Sequence, residues 1–209
     1  LVDFAINFNE KSAPLFMFFV HGLVFSLLLL RKGILQQRSS HKWLALLLFL
    51  TSMYIAPYMF GYANWYAGGV SRDVMFFVPF MQVLLIGPVI YFYTKSLLQV
   101  SFKVGKKDLI HFLPSILYMI YSIIVFVTDV LILDTYYFYA DGRDKDLAIW
   151  YQAAGFISMA FYLVLSLRFY TDYKKLVFDK VSFAESILFQ WIRNFIIALL
   201  VVLTLRGIF

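Results

Sequence analysis

Cysteine is absent from the 209 residues, which excludes disulfide frameworks, thiolate metal sites, cysteine nucleophiles and thiol redox switches. Charge is scarce as well. Charged side chains make up 14% of the chain, against 63% hydrophobic and 21% aromatic residues, more apolar surface than a compact soluble domain of this length can hide. Histidine occurs only as His21, His41 and His111, with no pair at the i, i+4 spacing that a helical metal site uses. There is no Gly-x-Ser-x-Gly elbow, His-Glu-x-x-His pair or Walker loop, and Asp129 has no second carboxylate beside it within an apolar run. These absences leave no candidate for catalysis, for a metal or for a cofactor. The expectation is a protein that is not an enzyme.

What fills the sequence is long apolar runs. A bilayer-spanning helix needs about 20 mostly apolar residues, and such runs fall at about 14–30, 43–62, 75–94, 109–133, 147–170 and 187–209. Nearly continuous stretches such as Leu44–Leu50 and Leu199–Leu205 do not show the alternating polarity of a transmembrane barrel strand. The fold class expected is all-α: one polytopic transmembrane helix bundle with six spans. Pro57, Pro79 and Pro88 fall inside spans, where proline removes a backbone hydrogen bond and is expected to kink the helix.

The loops carry charge unevenly. Arg31, Lys32, Arg38 and Lys42, then Lys95, Lys103, Lys106 and Lys107, then Arg168, Lys174, Lys175, Lys180 and Arg193 cluster on alternate connections, together with only four acids. The other connections hold five basic residues and eight acids. Basic loops stay cytoplasmic, so the amino terminus is expected outside. Six crossings return Phe209 to the outside, and seven spans are expected of the intact protein. The net charge of +6 is therefore read as topogenic, with the lysines also meeting lipid headgroups. It is dispersed over short loops with no basic recognition helix, so no nucleic-acid contact by this segment is expected.

The polar and aromatic residues nearest the expected outer face are candidates for binding. Trp65 and Tyr66, Tyr136, Tyr137, Phe138 and Tyr139, and Trp150 and Tyr151 are either an interfacial belt or the lining of an outward pocket. In the pocket reading, Gln82, Gln152 and the mid-span His21 supply polar anchors, and Gly68 and Gly69 let the rim flex. Asp129 is expected to reach the interface. The run Asp141–Asp146 matches a calcium loop poorly and reads as a solvated turn.

Three short motifs carry a family resemblance: Gly87-Pro88-Val89-Ile90-Tyr91-Phe92-Tyr93, Lys107-Asp108-Leu109-Ile110-His111-Phe112-Leu113-Pro114, and Trp191-Ile192-Arg193-Asn194-Phe195. Together they resemble the amino-terminal membrane region of bacterial membrane-bound AraC-type transcriptional regulators. The resemblance implies a sensor of about seven helices in the inner membrane, followed by a cytoplasmic helix-turn-helix domain that contacts DNA. No helix-turn-helix pattern lies within these 209 residues, so DNA binding belongs to a domain outside them. The partners implied are membrane lipids, a small-molecule ligand or a membrane protein partner, and a second copy in a homodimer. The rival readings are an accessory subunit packing through small residues such as Ala154 and Ser158, and a transporter or channel, for which no internal repeat is visible.

Overall fold

A computed structural model describes residues 8–67, 69–99, 101–178 and 190–208. Gly68 and Lys180 lie outside these. The described residues form seven α-helices and no strand: α1 Ser12–Leu35, α2 Ser39–Tyr62, α3 Gly69–Phe77, α4 Val83–Leu98, α5 Leu113–Phe126, α6 Ile149–Phe178 and α7 Gln190–Ile208. A 3-10 segment, Lys106–Phe112, leads into α5, and a π-helical segment, Val127–Ile132, follows it. By length and composition, Ser12–Leu35, Ser39–Tyr62, Lys106–Ile132 and Ile149–Phe178 can each cross a membrane.

The third expected span, 75–94, is not one helix. It is divided into α3 and α4 by the irregular stretch 78–82. Pro79 explains the break, because it disfavours helical backbone at Val78 and has no N–H to donate. The amide after the break, Met81 N–H, is given to Asp146 instead of to a helical carbonyl. Pro79 therefore ends a helix and does not kink one, whereas Pro57 and Pro88 do lie within α2 and α4. At about 1.5 Å per residue, the 16 residues of α4 span about 24 Å. The break is tolerated because its centre is buried in protein, with Met81 fully covered.

Helix α4 is the axis of the bundle. It lies between α2 and α6, and α7 packs on α6. The core joins Leu47 and Leu50 of α2, Val89 and Ile90 of α4, Leu163 of α6 and Ile196 of α7. Two glycines set how closely α4 and α6 meet. A Cβ on Gly155 would lie 2.4 Å from Val83 Cγ2, and one on Gly87 would lie 2.9 Å from Tyr162 Cδ2 and 3.2 Å from the Ser158 carbonyl oxygen. At Ser158, then, the small-residue face of α6 is occupied within the chain.

Helix α1 is the opposite case. It rests on α2, where Ser26 Oγ donates to the Ala45 carbonyl at 2.8 Å, and most of its surface is exposed phenylalanine, leucine and valine. The face of α5 that carries Ile116, Ile120 and Ile123 is exposed in the same way. Apolar side chains outward all along a helix suit a lipid solvent.

The connections collect at two ends. At one, Asn9 Nδ2 donates to the Tyr62 carbonyl, Tyr66 reaches Asp144 and Tyr136 reaches Asp73. At the other, Trp43, Phe92 and Phe112 stack and Lys95 pairs with Asp108 at 3.5 Å. We call them the acidic and basic ends. Arg31, Lys32, Lys42, Lys95, Arg168, Lys174, Lys175 and Arg193 lie on helices, not in the loops where they were expected.

Candidate functional site

The acidic end is built from carboxylates that the chain has drawn inside. Asp144 and Asp146 are buried, contrary to the expectation of a solvated turn; only Asp141, Gly142 and Arg143 of that run are exposed. The reason is the supply of donors. Asp144 Oδ2 accepts from Tyr66 Oη at 2.6 Å, and its Oδ1 accepts from the Asp146 amide at 2.9 Å. Asp146 accepts from the Met81 amide at 2.8 Å and from Tyr118 Oη at 2.6 Å. Buried acids are retained where hydrogen bonds replace water. Burial still favours the neutral form, pushing the Asp146 carboxyl up to about 7 and raising that of Asp144. The hydroxyls of Tyr66 and Tyr139 are also raised, first by burial and then by the charge of Asp144.

Asp129 also turns inward. It is 1% exposed and accepts from the Phe138 amide at 3.1 Å and 3.2 Å. Its carboxylate, in the π-helical segment, is thus turned toward the 134–138 loop instead of standing free. The neighbouring rings close the same layer: Phe76 stacks on Tyr139, whose hydroxyl donates to the Phe76 carbonyl, and Tyr118 stacks on Tyr151 with centroids 3.7 Å apart.

Over this layer lies an open cleft of about 1260 Å³. Of the residues expected to line an outward pocket, Tyr66, Tyr136, Tyr139 and Trp150 do so. Gln82 and Gln152 serve beneath it. Gln82 Nε2 donates to the Pro79 carbonyl at 2.9 Å and its Oε1 accepts from Ser115, while Gln152 Nε2 donates to the Asp146 carbonyl at 2.7 Å. Both glutamines thus brace the break at 78–82. Trp65 is taken up by stacking on Phe60 at 4.4 Å, and Tyr137 stands exposed. His21 is not brought to the cleft: it is exposed on α1, with Nδ1 2.7 Å from its own helix's Met17 carbonyl.

The sequence reading missed Arg72, Phe76, Met81, Tyr118, Asp144 and Asp146. The last two gave no local signal, because the hydroxyls that engage them belong to Tyr66 and Tyr118, far away in sequence. Arg72 gave no signal, since only the fold turns α3 so that its guanidinium lies 4.9 Å from the Tyr136 ring centre.

Chemically, the arrangement is a hydrogen-bonded layer of buried carboxylates and tyrosines beneath an open cleft. Asp146 is enclosed and engaged on both oxygens, so it acts as a strut between elements. Among the described residues, no three histidine or acidic side chains converge to hold a metal ion. No family model, no curated protein and no solved structure matches the chain.

Proposed function

We propose that this chain is the membrane-embedded sensory region of a bacterial transcriptional regulator, multi-pass in the inner membrane, of the kind its three motifs resemble. The amino terminus and the acidic end face outward. Six crossings are made by α1, α2, the broken α3–α4 unit, the 106–132 stretch, α6 and α7. A further span and a DNA-contacting helix-turn-helix domain follow in the intact protein.

One observation carries this reading: the 144–148 segment that walls the cleft is hydrogen-bonded, through Asp146, to Met81, just before α4. Asp146 holds the Met81 amide and Tyr151 donates to the Met81 carbonyl at 2.7 Å, so displacing the 144–146 segment moves the residue from which α4 departs. Helix α4 then runs through the core to Lys95, beside the stacked Trp43, Phe92 and Phe112 at the basic end. An outward ligand that binds one position of that segment better than another would bias α4 and, through it, the cytoplasmic side.

Two experiments test this. The chain contains no cysteine, so single replacements report orientation: an impermeant maleimide added to intact spheroplasts labels Arg143→Cys and spares Lys106→Cys. Transcript profiling tests the output. Deleting the gene alters a defined set of transcripts, and Asp146→Ala alters the same set at wild-type membrane abundance; an unchanged profile in the deletion strain overturns the proposal.

A further inference from the structure

We infer that the cleft at the acidic end takes a small amphipathic organic anion, its acidic head on Arg72 with Arg143 and its apolar body against Trp150, Ile149 and Tyr136. This rests on the sensory reading above and names the chemical class of its ligand.

The positive charge in the cleft is not balanced from within. Arg72 is half-buried and lies 4.9 Å over the Tyr136 ring, hydrogen-bonded to that residue's hydroxyl; its Nε is buried without a hydrogen-bond partner, and among the described residues it makes no ion pair. The adjacent Asp73 is engaged by the Tyr136 hydroxyl. Lys145 is neutralised by Asp141 at 3.0 Å, whereas Arg143 lines the cleft and among the described residues makes no ion pair. Asp144, the other carboxylate in the wall, already accepts from the Tyr66 hydroxyl and the Asp146 amide. A guanidinium with free donors in a partly desolvated wall is matched by a carboxylate, sulfate or phosphate, which takes two parallel N–H donors.

The apolar half of the ligand is read from the mouth. Ile149 is 88% exposed and Trp150 58%, at the start of α6 where the chain leaves the polar cap for the apolar bundle. Tryptophan and arginine in one concave site are the residues that most often dominate binding energy. The cleft exceeds the roughly 300–1,000 Å³ usual for small-molecule pockets, which leaves room for a flexible chain or ring system. Such an amphiphile could arrive from water as a free acid or from the outer leaflet as an anionic lipid. The chemistry recognised is the same.

The test uses the intact protein in nanodiscs of phosphatidylcholine, with Trp150 as reporter. Bromodecanoate is titrated as the free acid, and in a second arm a brominated phosphatidylglycerol is incorporated into the discs. Saturable quenching that disappears in Trp150→Phe is expected with at least one of them, and which arm saturates identifies the source. Arg72→Gln weakens binding at least about tenfold, Arg72→Lys less, and Lys103→Gln at the basic end not at all. Bromodecanol, which lacks the charge, does not saturate. Should Arg72→Gln be poorly folded, the Arg72→Lys and Arg143→Gln variants carry the comparison. Equal affinity in the wild type and all arginine variants, or equal binding of the alcohol, overturns the inference. Because binding is measured on purified protein, its loss bears on the ligand alone, whereas intact binding with an unchanged transcript profile counts against the regulatory reading.

Discussion

The two ends of α4 are secured by different physics. At the acidic end the helix begins at a backbone break tied by hydrogen bonds through a buried carboxylate, two tyrosine hydroxyls and two glutamines, with the Tyr118 and Tyr151 rings stacked beside them. At the basic end it finishes in stacked rings, Trp43 5.3 Å and Phe112 5.2 Å from Phe92, with the partly exposed Lys95–Asp108 ion pair and a His111–Tyr162 hydrogen bond nearby. Ring packing tolerates small shifts. A hydrogen-bonded carboxylate has few geometries that satisfy all its donors, so it is either made or broken. The acidic end is therefore the more geometrically exacting of the two, and the basic end the more tolerant of small displacements.

The largest effect is expected between the ends, where α4 and α6 touch. Gly155→Ala puts a methyl 2.4 Å from the stiff, β-branched Val83, which cannot swing away. Thermal unfolding in detergent should show a loss of about 3 kcal/mol. Next in size is Asp146→Ala, which strands the Met81 amide and the Tyr118 hydroxyl; a loss of about 2 kcal/mol is expected. At the basic end, Trp43→Phe keeps most of the stack and should cost about 1 kcal/mol. If Trp43→Phe proves as damaging as Asp146→Ala, the contrast between the ends fails.

The helical class and the apolar runs were legible because a span is written in consecutive residues. Ser12–Leu35 and Ser39–Tyr62 enclose the expected 14–30 and 43–62. The break at 78–82 was not legible, because the run through it is as apolar as any span and Pro79 alone reads equally as a kink or a stop. Half of the cleft was visible as a clustering of tyrosine and tryptophan. Its carboxylates were not, since a loop acid is exposed by default and only the folded neighbours of Asp144 and Asp146 reveal the donors that bury them. Glutamines 82 and 152 were read as polar anchors of the pocket; in the fold neither lines the cleft, and they bond Pro79, Ser115 and the Asp146 carbonyl instead. Sequence shows which groups must be satisfied; it does not show by whom.

Two further measurements sharpen the contrast by changing solvent and not packing. The folded protein holds the Asp146 proton more tightly than the unfolded chain does, its carboxyl lying at about 7 against about 3.9 for a free aspartate. Proton uptake therefore favours the folded state, and stability falls as pH rises from about 4 to about 7. Asp146→Asn, a fixed neutral mimic, should flatten that slope in detergent melting curves; a slope as steep as wild type would place the titrating group elsewhere.

The smallest effect belongs to Lys95. Its ammonium is 3.5 Å from Asp108 and within 4.5 Å of the Phe102 ring centre, on the rim of the stack and partly open to solvent. Exposed pairs contribute about 0.5 kcal/mol and are screened by salt, so Lys95→Gln should lower stability by about that much at low ionic strength and by less in about 0.5 M salt. The Asp146→Ala loss should not change between the two salts, because its bonds lie where ions do not reach. A salt-insensitive Lys95 effect would mean that the ring contacts, not the carboxylate, hold the lysine.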